Sequence, residues 1–158
     1  MLTGEFRVTL DDKGRILIPS KLRASLDGDS LYVTRGLDNC LWLMLPSEFE
    51  KLAKVISPGP GSMFSTARRK LQRMIVSPAQ PCDIDRSGRI NVPPSLRLHA
   101  GLDAKSECIL LGDDNRLELW NPDRYEAYLN EAIENGDFEK AAAEIGEQLD
   151  ALSLGGGV

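Results

Sequence analysis

Residues 11–23 read Asp-Asp-Lys-Gly-Arg-Ile-Leu-Ile-Pro-Ser-Lys-Leu-Arg, and residues 85–97 read Asp-Arg-Ser-Gly-Arg-Ile-Asn-Val-Pro-Pro-Ser-Leu-Arg. At this offset of 74 residues, an Asp, a Gly, two Arg, an Ile, a Pro and a Leu recur in register. Such a repeat in 158 residues predicts two copies of one small unit, related by pseudo-two-fold symmetry. Two equivalent surfaces suit a repeated ligand, and duplex DNA is the first candidate.

The flanking sequence extends the repeat, because residues 30–44 align with residues 106–120 after a two-residue insertion. Each copy is predicted to run strand, glycine turn, short strand, proline, strand, turn, strand and helix. Gly14 and Gly88 fall where a turn needs a positive φ. Hairpin turns are predicted at residues 38–39 and 114–115. Helices are predicted to open at Pro46 and Pro122, and further helices to cover residues 63–76 and 137–152.

These elements predict an α+β protein made of two tandem repeats. The first repeat is assigned to residues 1–56, a helical connector to 57–78 and the second repeat to 79–135. A C-terminal helix and a flexible tail, ending in Gly155-Gly156-Gly157-Val158, are assigned to residues 136–158.

Composition and charge narrow the class of protein. The net charge is −5, but residues 1–97 hold 15 Lys and Arg against 10 Asp and Glu, whereas residues 98–158 hold 4 against 14. The basic excess therefore travels with the repeated motif, and a local patch matters more than the total charge. No apolar run approaches a membrane span, and no signal peptide is recognised, which predicts a cytosolic chain without a membrane partner. Cys40, Cys82 and Cys108 are expected to be free buried thiols.

The repeated Asp-x-x-x-Arg pattern is the candidate binding element. Its turn presents Arg15 and Arg89 at the start of a strand, where a guanidinium can pair with phosphate or with guanine. The neighbouring cations Lys13 and Arg86 are candidate phosphate contacts. The aspartates and glycines are expected to support the motif, with each Asp holding its Arg or capping the turn, and they are Asp11, Gly14, Asp85 and Gly88.

A structural explanation of the same residues stays open, since an Asp and an Arg four residues apart are commonly a scaffold ion pair. For Arg23 and Arg97, at the ends of the motifs, a scaffold role and a contact role both stay open. The cluster at residues 68–73 is expected to be a solvated helix face or a contact to the acidic C-terminal half.

Enzyme chemistry is poorly supported. His99 is the single histidine, and no serine or cysteine motif lies near it. The aspartates of the two motifs lack EF-hand spacing, and no Walker or dinucleotide motif is present. Neither catalysis, nor a metal, nor another cofactor is expected.

The opening residues 2–6, Leu-Thr-Gly-Glu-Phe, and the doubled motif resemble the MraZ family over about the first 135 residues. The resemblance implies the swapped-hairpin β-barrel that the family shares with AbrB-type regulators, here as two tandem halves with flanking helices. It implies a cytoplasmic, nucleoid-associated transcriptional regulator that binds repeated boxes in the promoter of the division and cell-wall gene cluster. It also implies a homo-oligomeric ring, often octameric, whose contacts to double-stranded DNA are Arg15 and Arg89, with Lys13 and Arg86 as phosphate neighbours.

Two departures from the family pattern shape the expectation: one lies in the second motif, and the other is the C-terminal stretch from Asp137, which is longer and more acidic than a minimal member needs. Asn91 interrupts the strand of the second motif, which predicts that the two copies contribute unequally. The alternative functions left open are a ring-forming protein-interaction scaffold without specific DNA binding and a metal-dependent enzyme that uses the motif aspartates.

Overall fold

A computed structural model describes residues 1–152. The chain divides into two compact units, Met1–Pro122 and the part from Asp123 onward. The predicted tail at residues 155–158 lies outside the described residues. Both repeats contribute strands to the first unit, so the compact units do not follow the repeat boundaries predicted from the sequence. The boundaries of the two repeats therefore remain a prediction from the sequence.

The first unit is built on a six-stranded antiparallel sheet and a separate two-stranded ribbon. The sheet has the strand order β1-β7-β8-β4-β3-β5, and β2 pairs with β6 in the ribbon. The strands are β1 Glu5–Thr9, β2 Arg15–Leu17, β3 Ser30–Arg35, β4 Leu41–Met44, β5 Gln80–Asp83, β6 Arg89–Asn91, β7 Glu107–Asp113 and β8 Arg116–Trp120.

The two repeats exchange strands throughout this unit. β1 of the first repeat pairs with β7 of the second, and β5, its counterpart in the second repeat, pairs with β3 of the first. Equivalent strands of the two repeats also pair with each other. β4 and β8 form the central pair of the six-stranded sheet, and β2 and β6 form the ribbon. This reciprocal pairing has the pseudo-two-fold relation that the sequence repeat predicts.

The predicted turns and helix starts are confirmed. Gly14 and Gly88 have φ values of 80° and 86°, and the hairpin residues Asn39 and Asp114 have φ values of 62° and 60°. Helices α2 and α5 begin at the two predicted prolines. The α-helices are α1 Ser20–Arg23, α2 Pro46–Ile56, α3 Thr66–Leu71, α4 Pro94–Ala100, α5 Pro122–Glu134, α6 Asp137–Glu144 and α7 Gly146–Ala151.

The two further helices predicted from periodicity are not continuous, and in this respect the prediction was wrong. A 3₁₀ segment, Pro60–Phe64, precedes α3, and a π-helical turn, Gln72–Val76, follows it. The hydroxyl of Ser65 accepts a bond from the Arg68 amide at 3.2 Å and so caps a new helix, α3, close to the start of the predicted one. The second predicted helix is divided into α6 and α7 at Ile145.

The core of the first unit joins the ribbon to the sheet. Ile16 and Ile90, at the centre of the ribbon, are fully buried, as are Ile18 and Val92 just beyond it. They belong to one apolar cluster with the inward residues of the sheet, which include Leu31, Leu41, Leu43, Leu110, Leu117 and Leu119. Among the residues that the structure describes, no helix is long and apolar enough to cross a membrane.

Candidate nucleic-acid interface

Residues 11–15, here called loop 1, form a turn that is held by its own aspartate. One carboxylate oxygen of Asp11 accepts the amides of Lys13 at 2.9 Å and Arg15 at 2.8 Å. The other oxygen accepts Nε of Arg15 at 2.8 Å, so Asp11 fixes both the backbone and the side chain of this arginine. The amide of Arg15 is the main cause of the lowered pKa of Asp11, and the bonds from the Arg15 side chain and the Lys13 amide add to it.

Residues 85–89, here called loop 2, repeat this backbone pattern with a different side-chain partner. Asp85 accepts the amides of Ser87 and Arg89, each at 2.9 Å, and the amide of Gly88 donates to the carbonyl of Asp85. The hydroxyl of Ser87 then donates to the Asp85 carboxylate at 2.8 Å. The bonds from Arg89 and Ser87 to its carboxylate lower the pKa of Asp85, with the Arg89 amide as the largest cause. Of the two supporting roles expected for the aspartates, holding the Arg or capping the turn, Asp11 makes the contacts of both, whereas Asp85 makes those of a turn cap only.

The ribbon places both motif arginines on one side. Arg15 lies opposite Asn91, and Leu17 lies opposite Arg89, with Ile16 facing Ile90 between them. Since directly opposed residues of an antiparallel pair project to the same face and successive residues alternate, the two isoleucines point into the core. The other four side chains form the outer ribbon face, which consists of Arg15, Leu17, Arg89 and Asn91.

The two repeats also meet in a concavity of about 490 Å³ beside the ribbon. Arg15 of the first repeat and Arg89 of the second both line it, together with Arg7, whose guanidinium also contacts Glu107 at 3.1 Å. The charge of Arg15 contributes to the lowered pKa of Asp85 across the ribbon. The structure therefore brings together the two arginines that the sequence singled out, 74 positions apart.

Each loop is supported by an arginine of the other repeat. The guanidinium of Arg23 lies against Gly88, and that of Arg97 lies against Gly14. Nε of each arginine donates at 2.9 Å to a carbonyl of its own repeat, that of Ile18 for Arg23 and that of Val92 for Arg97. Of the two explanations left open by the sequence, these contacts favour the scaffold explanation for Arg23 and Arg97.

The remaining predicted cations lie at the tips of the loops. Lys13 and Arg86 are exposed, and neither side chain has a hydrogen bond or ion pair among the residues described. Arg89 likewise has no side-chain hydrogen bond within residues 1–152, unlike Arg15. Loop 1 thus offers a fixed guanidinium, and loop 2 a guanidinium that can turn toward a ligand.

The basic cluster at residues 68–73 has a local structural use. Arg68 donates to the carbonyls of Val55 and Ile56 at 2.6 Å and 3.0 Å, and Arg69 donates to the carbonyl of Met63 at 2.8 Å. These bonds satisfy carbonyls at the end of α2 and in the 3₁₀ segment. No group of three or more His, Cys, Asp or Glu side chains in the described part of the chain could hold a metal ion.

Two further residues of the outer ribbon face were not among the candidate site residues predicted from the sequence. Leu17 follows Arg15 by two positions, and Asn91 follows Arg89 by two. Because side chains along a strand alternate between its two faces, residues two positions apart lie on the same face. That spacing alone would have predicted that Leu17 and Asn91 lie beside the arginines.

Comparison with known proteins places this architecture in a family. The sequence matches the family described as "MraZ protein, putative antitoxin-like" over residues 1–73 and again over residues 75–148. It is 41% identical to the transcriptional regulator MraZ of Treponema denticola over 92% of this chain and 98% of that protein. It is 44% identical to the protein of that name from Ligilactobacillus salivarius, over 87% and 92% of the two chains. The protein of that name from Lactobacillus delbrueckii subsp. bulgaricus is 37% identical over 98% of this chain and all of its own length. With the doubled match following the doubled motif, the chain belongs to the MraZ family.

Proposed function

We propose that the protein is a transcriptional regulator that binds double-stranded DNA in a sequence-specific way through loops 1 and 2. The observation that carries this proposal is the convergence of Arg15 and Arg89, from different repeats, on the outer ribbon face and in one concavity. The name of the relatives, transcriptional regulator, agrees with it.

The cations divide into two classes of contact. Lys13 and Arg86 are exposed at the loop tips, where they suit the phosphates that flank a groove. Arg15 and Arg89 lie on the ribbon, where they can reach base edges or phosphates. Phosphate contacts set position and salt dependence, whereas base contacts set sequence preference.

Repeated boxes call for repeated binding units. The proposal therefore includes a homo-oligomeric ring, an octamer by family resemblance, that acts at the promoter of the division and cell-wall gene cluster in the nucleoid. Several weak contacts on linked boxes give a much higher effective affinity than a single one. The exchanged strands of the two repeats are proposed to close as the swapped-hairpin barrel of the AbrB type.

The scaffold alternative rests on one observation, the 2.8 Å ion pair between Arg15 and Asp11. If that pair only holds the fold, Arg15→Ala lowers the melting temperature and has no specific effect on DNA. Since the pair is partly exposed, its contribution to stability is small, and a large loss of DNA binding in a stable variant would exclude this alternative.

The test is fluorescence anisotropy with duplex DNA from upstream of the chain's own gene and with a scrambled duplex. Wild type, Arg15→Ala and Arg89→Ala are compared at two salt concentrations, and Lys54→Ala is the control. Lys54 is an exposed cation on α2, outside both loops and the ribbon, so its removal changes the net charge equally.

The expected result is binding that prefers the upstream duplex, weakens as salt is raised and is reduced by each arginine substitution but not by Lys54→Ala. Equal binding of both duplexes at low salt would contradict the proposal. An equal loss in all three variants would show that only total charge matters.

A further inference from the structure

The pseudo-two-fold symmetry of the outer ribbon face is broken at one pair of positions. The 74-residue offset makes Arg15 equivalent to Arg89, and it makes Leu17 equivalent to Asn91. The pairing of β2 with β6 places Arg15 opposite Asn91, and Leu17 opposite Arg89. The outer ribbon face therefore has the same cation, an arginine, at its first pair of equivalent positions. At the second pair it has two different side chains, the apolar Leu17 and the amide Asn91.

We propose that Asn91 and Leu17 are the specificity-determining residues of this face, that they read an adenine and a thymine methyl group in the major groove, and that their difference gives the chain a polarity on a non-palindromic box. This inference rests on the proposed DNA-binding function and names the part of the surface that reads sequence.

Neither Leu17 nor Asn91 is part of the buried apolar core. Ile16 and Ile90 fill the buried face of the ribbon, whereas Leu17 is 43% exposed and Asn91 is exposed. The Asn91 amide makes no hydrogen bond to any of residues 1–152. Leu17 therefore presents an exposed apolar surface to a ligand. The Asn91 amide presents donors and an acceptor that no other group uses in the described part of the chain.

The two-stranded form of the ribbon suits the major groove. A two-stranded β-ribbon fits that groove, and only there do the four base-pair orientations present different patterns of donors, acceptors and methyl groups. Loops 1 and 2 lead directly into β2 and β6, so a ribbon in the groove carries the exposed Lys13 and Arg86 toward the flanking phosphates.

The chemistry of the two side chains selects different bases. An asparagine amide donates to N7 of adenine and accepts from its N6 amino group as a bidentate pair, whereas an aliphatic side chain contacts the methyl of thymine. Leu17 lines the concavity beside the ribbon with Val8 and Pro19, which extends its apolar surface. Asn91 does not line that concavity, so the two positions differ in surroundings as well as in chemistry.

A symmetric outer ribbon face would bind a palindromic DNA sequence, because each repeat would present the same side chains to each half of the site. The central base pairs that this face contacts are here called the DNA core. With Leu at one position and Asn at the other, the two halves of the core are read differently. The chain then has a preferred orientation, and boxes repeated in one direction orient successive copies alike.

The experiment is selection of binding sequences from a pool of duplexes with a randomised core, using the full chain. Four proteins are compared: wild type, the symmetrising variants Asn91→Leu and Leu17→Asn, and the exchanged double variant Leu17→Asn/Asn91→Leu. Each uses only side chains already present on this face, and melting temperatures verify that all four are folded. Lys13→Ala and Arg86→Ala serve as phosphate-contact controls.

Wild type is expected to select a non-palindromic core that contains an adenine, and the exchanged variant to select that same duplex core. Asn91→Leu and Leu17→Asn are expected to select two different palindromic cores. Replacing the selected adenine should weaken wild-type binding by about 5- to 150-fold and leave Asn91→Leu nearly unaffected. The phosphate controls should bind more weakly but select the wild-type core.

Selection of one common core by wild type and both symmetrising variants would overturn the inference while leaving the DNA-binding proposal intact. A palindromic wild-type core would also overturn it. If wild type enriches no sequence, the proposed function itself fails, and this inference fails with it.

Discussion

The guanidinium of Arg97 lies so close to Gly14 that a Cβ on that glycine would stand 2.8 Å from Cζ of the arginine. The carbonyl of Gly14 also accepts a bond from the Val92 amide at 2.8 Å, and the carbonyl of Val92 in turn accepts a bond from Nε of Arg97. Loop 1 of the first repeat is therefore packed against a residue of the second repeat. The symmetry-related contact joins Arg23 of the first repeat to Gly88 of the second, so each loop is supported by a residue of the other repeat.

This crossed support predicts that substitution of Arg97 disturbs loop 1 rather than loop 2. Arg97→Lys keeps the positive charge but loses the planar group that lies over Gly14 and the Nε bond to Val92, which contributes about 1 kcal/mol. In ¹H–¹⁵N spectra we expect the amides of loop 1 to shift most in this variant, and those of loop 2 to shift most in Arg23→Lys. Shifts confined to the repeat that carries the substitution would contradict crossed support.

Gly88 is predicted to tolerate alanine less well than Gly28 does. Both have a positive φ, 86° and 107°, so alanine is strained at each by about 1 to 2 kcal/mol. At Gly28 an added Cβ meets nothing within 4 Å, whereas at Gly88 it would stand 2.5 Å from Cζ of Arg23. Gly88→Ala should therefore lower the free energy of unfolding by about 1 kcal/mol more than Gly28→Ala, because Arg23 must leave its bond to Ile18.

Denaturant unfolding of the two glycine variants measures that difference. The effect of Gly88→Ala measured in an Arg23→Ala background separates the causes, since without the arginine side chain the added Cβ introduces only the backbone strain. If Gly88→Ala and Gly28→Ala are equally destabilised, the contact with Arg23 contributes nothing.

Local chemistry allowed much of this fold to be predicted from the sequence. Glycines that need a positive φ, prolines that open helices and short β-branched runs each act within a few residues. Gly14, Gly88, Pro46 and Pro122 therefore lie where the repeat placed them. The helix predicted over residues 63–76 was broken because periodicity reports which face is apolar and does not report a cap such as Ser65 inside the predicted range.

The partners of the site residues could not be read in the same way. Alternation shows that Arg15 and Leu17 share a face, but only strand pairing shows that Asn91 lies opposite Arg15. The role of Arg97 depends on a contact between residues 83 positions apart, which leaves no local pattern. The side chain of Arg15 bonds Asp11, whereas that of Arg89 makes no bond to Asp85 although the backbones of the two loops match, and no local sequence pattern announces this difference.

The thiols are predicted to react in an order set by burial. Burial raises the pKa of Cys40 to about 12 and that of Cys108 to about 11, and both side chains are enclosed. Cys82 is half-buried, in part contrary to the sequence prediction of three buried thiols, and its pKa is also raised by burial and then by Asp83. At pH 8 a maleimide should add once to the native chain, slowly and at Cys82.

Mass spectrometry gives the number of adducts before and after unfolding in denaturant. Cys82→Ser should abolish native labelling, and unfolded wild type should gain three adducts, one for each cysteine. Rapid native addition at Cys40 or Cys108 would show that the sheet opens far more readily than its packing indicates.

The loop aspartates are predicted to make stability depend on acid pH. The pKa of Asp11 and that of Asp85 are lowered in the folded chain from the ordinary value of 3.8, chiefly by the amides of Arg15 and Arg89. A carboxylate with a depressed folded pKa stabilises the fold fully at pH values well above 3.8. That contribution declines as the pH approaches this value and is gone once the pH has fallen through the folded pKa.

Asp11→Asn and Asp85→Asn should therefore show a smaller decrease in melting temperature between pH 7 and pH 3 than wild type does, because an amide oxygen accepts the same backbone bonds without titrating. Asp12→Asn is the matched control, since it removes the same charge from loop 1 and its side chain makes no hydrogen bond in the described part of the chain. The control should follow wild type. If it flattens the pH profile as much as Asp11→Asn does, the acid sensitivity comes from overall charge and not from the capped turns.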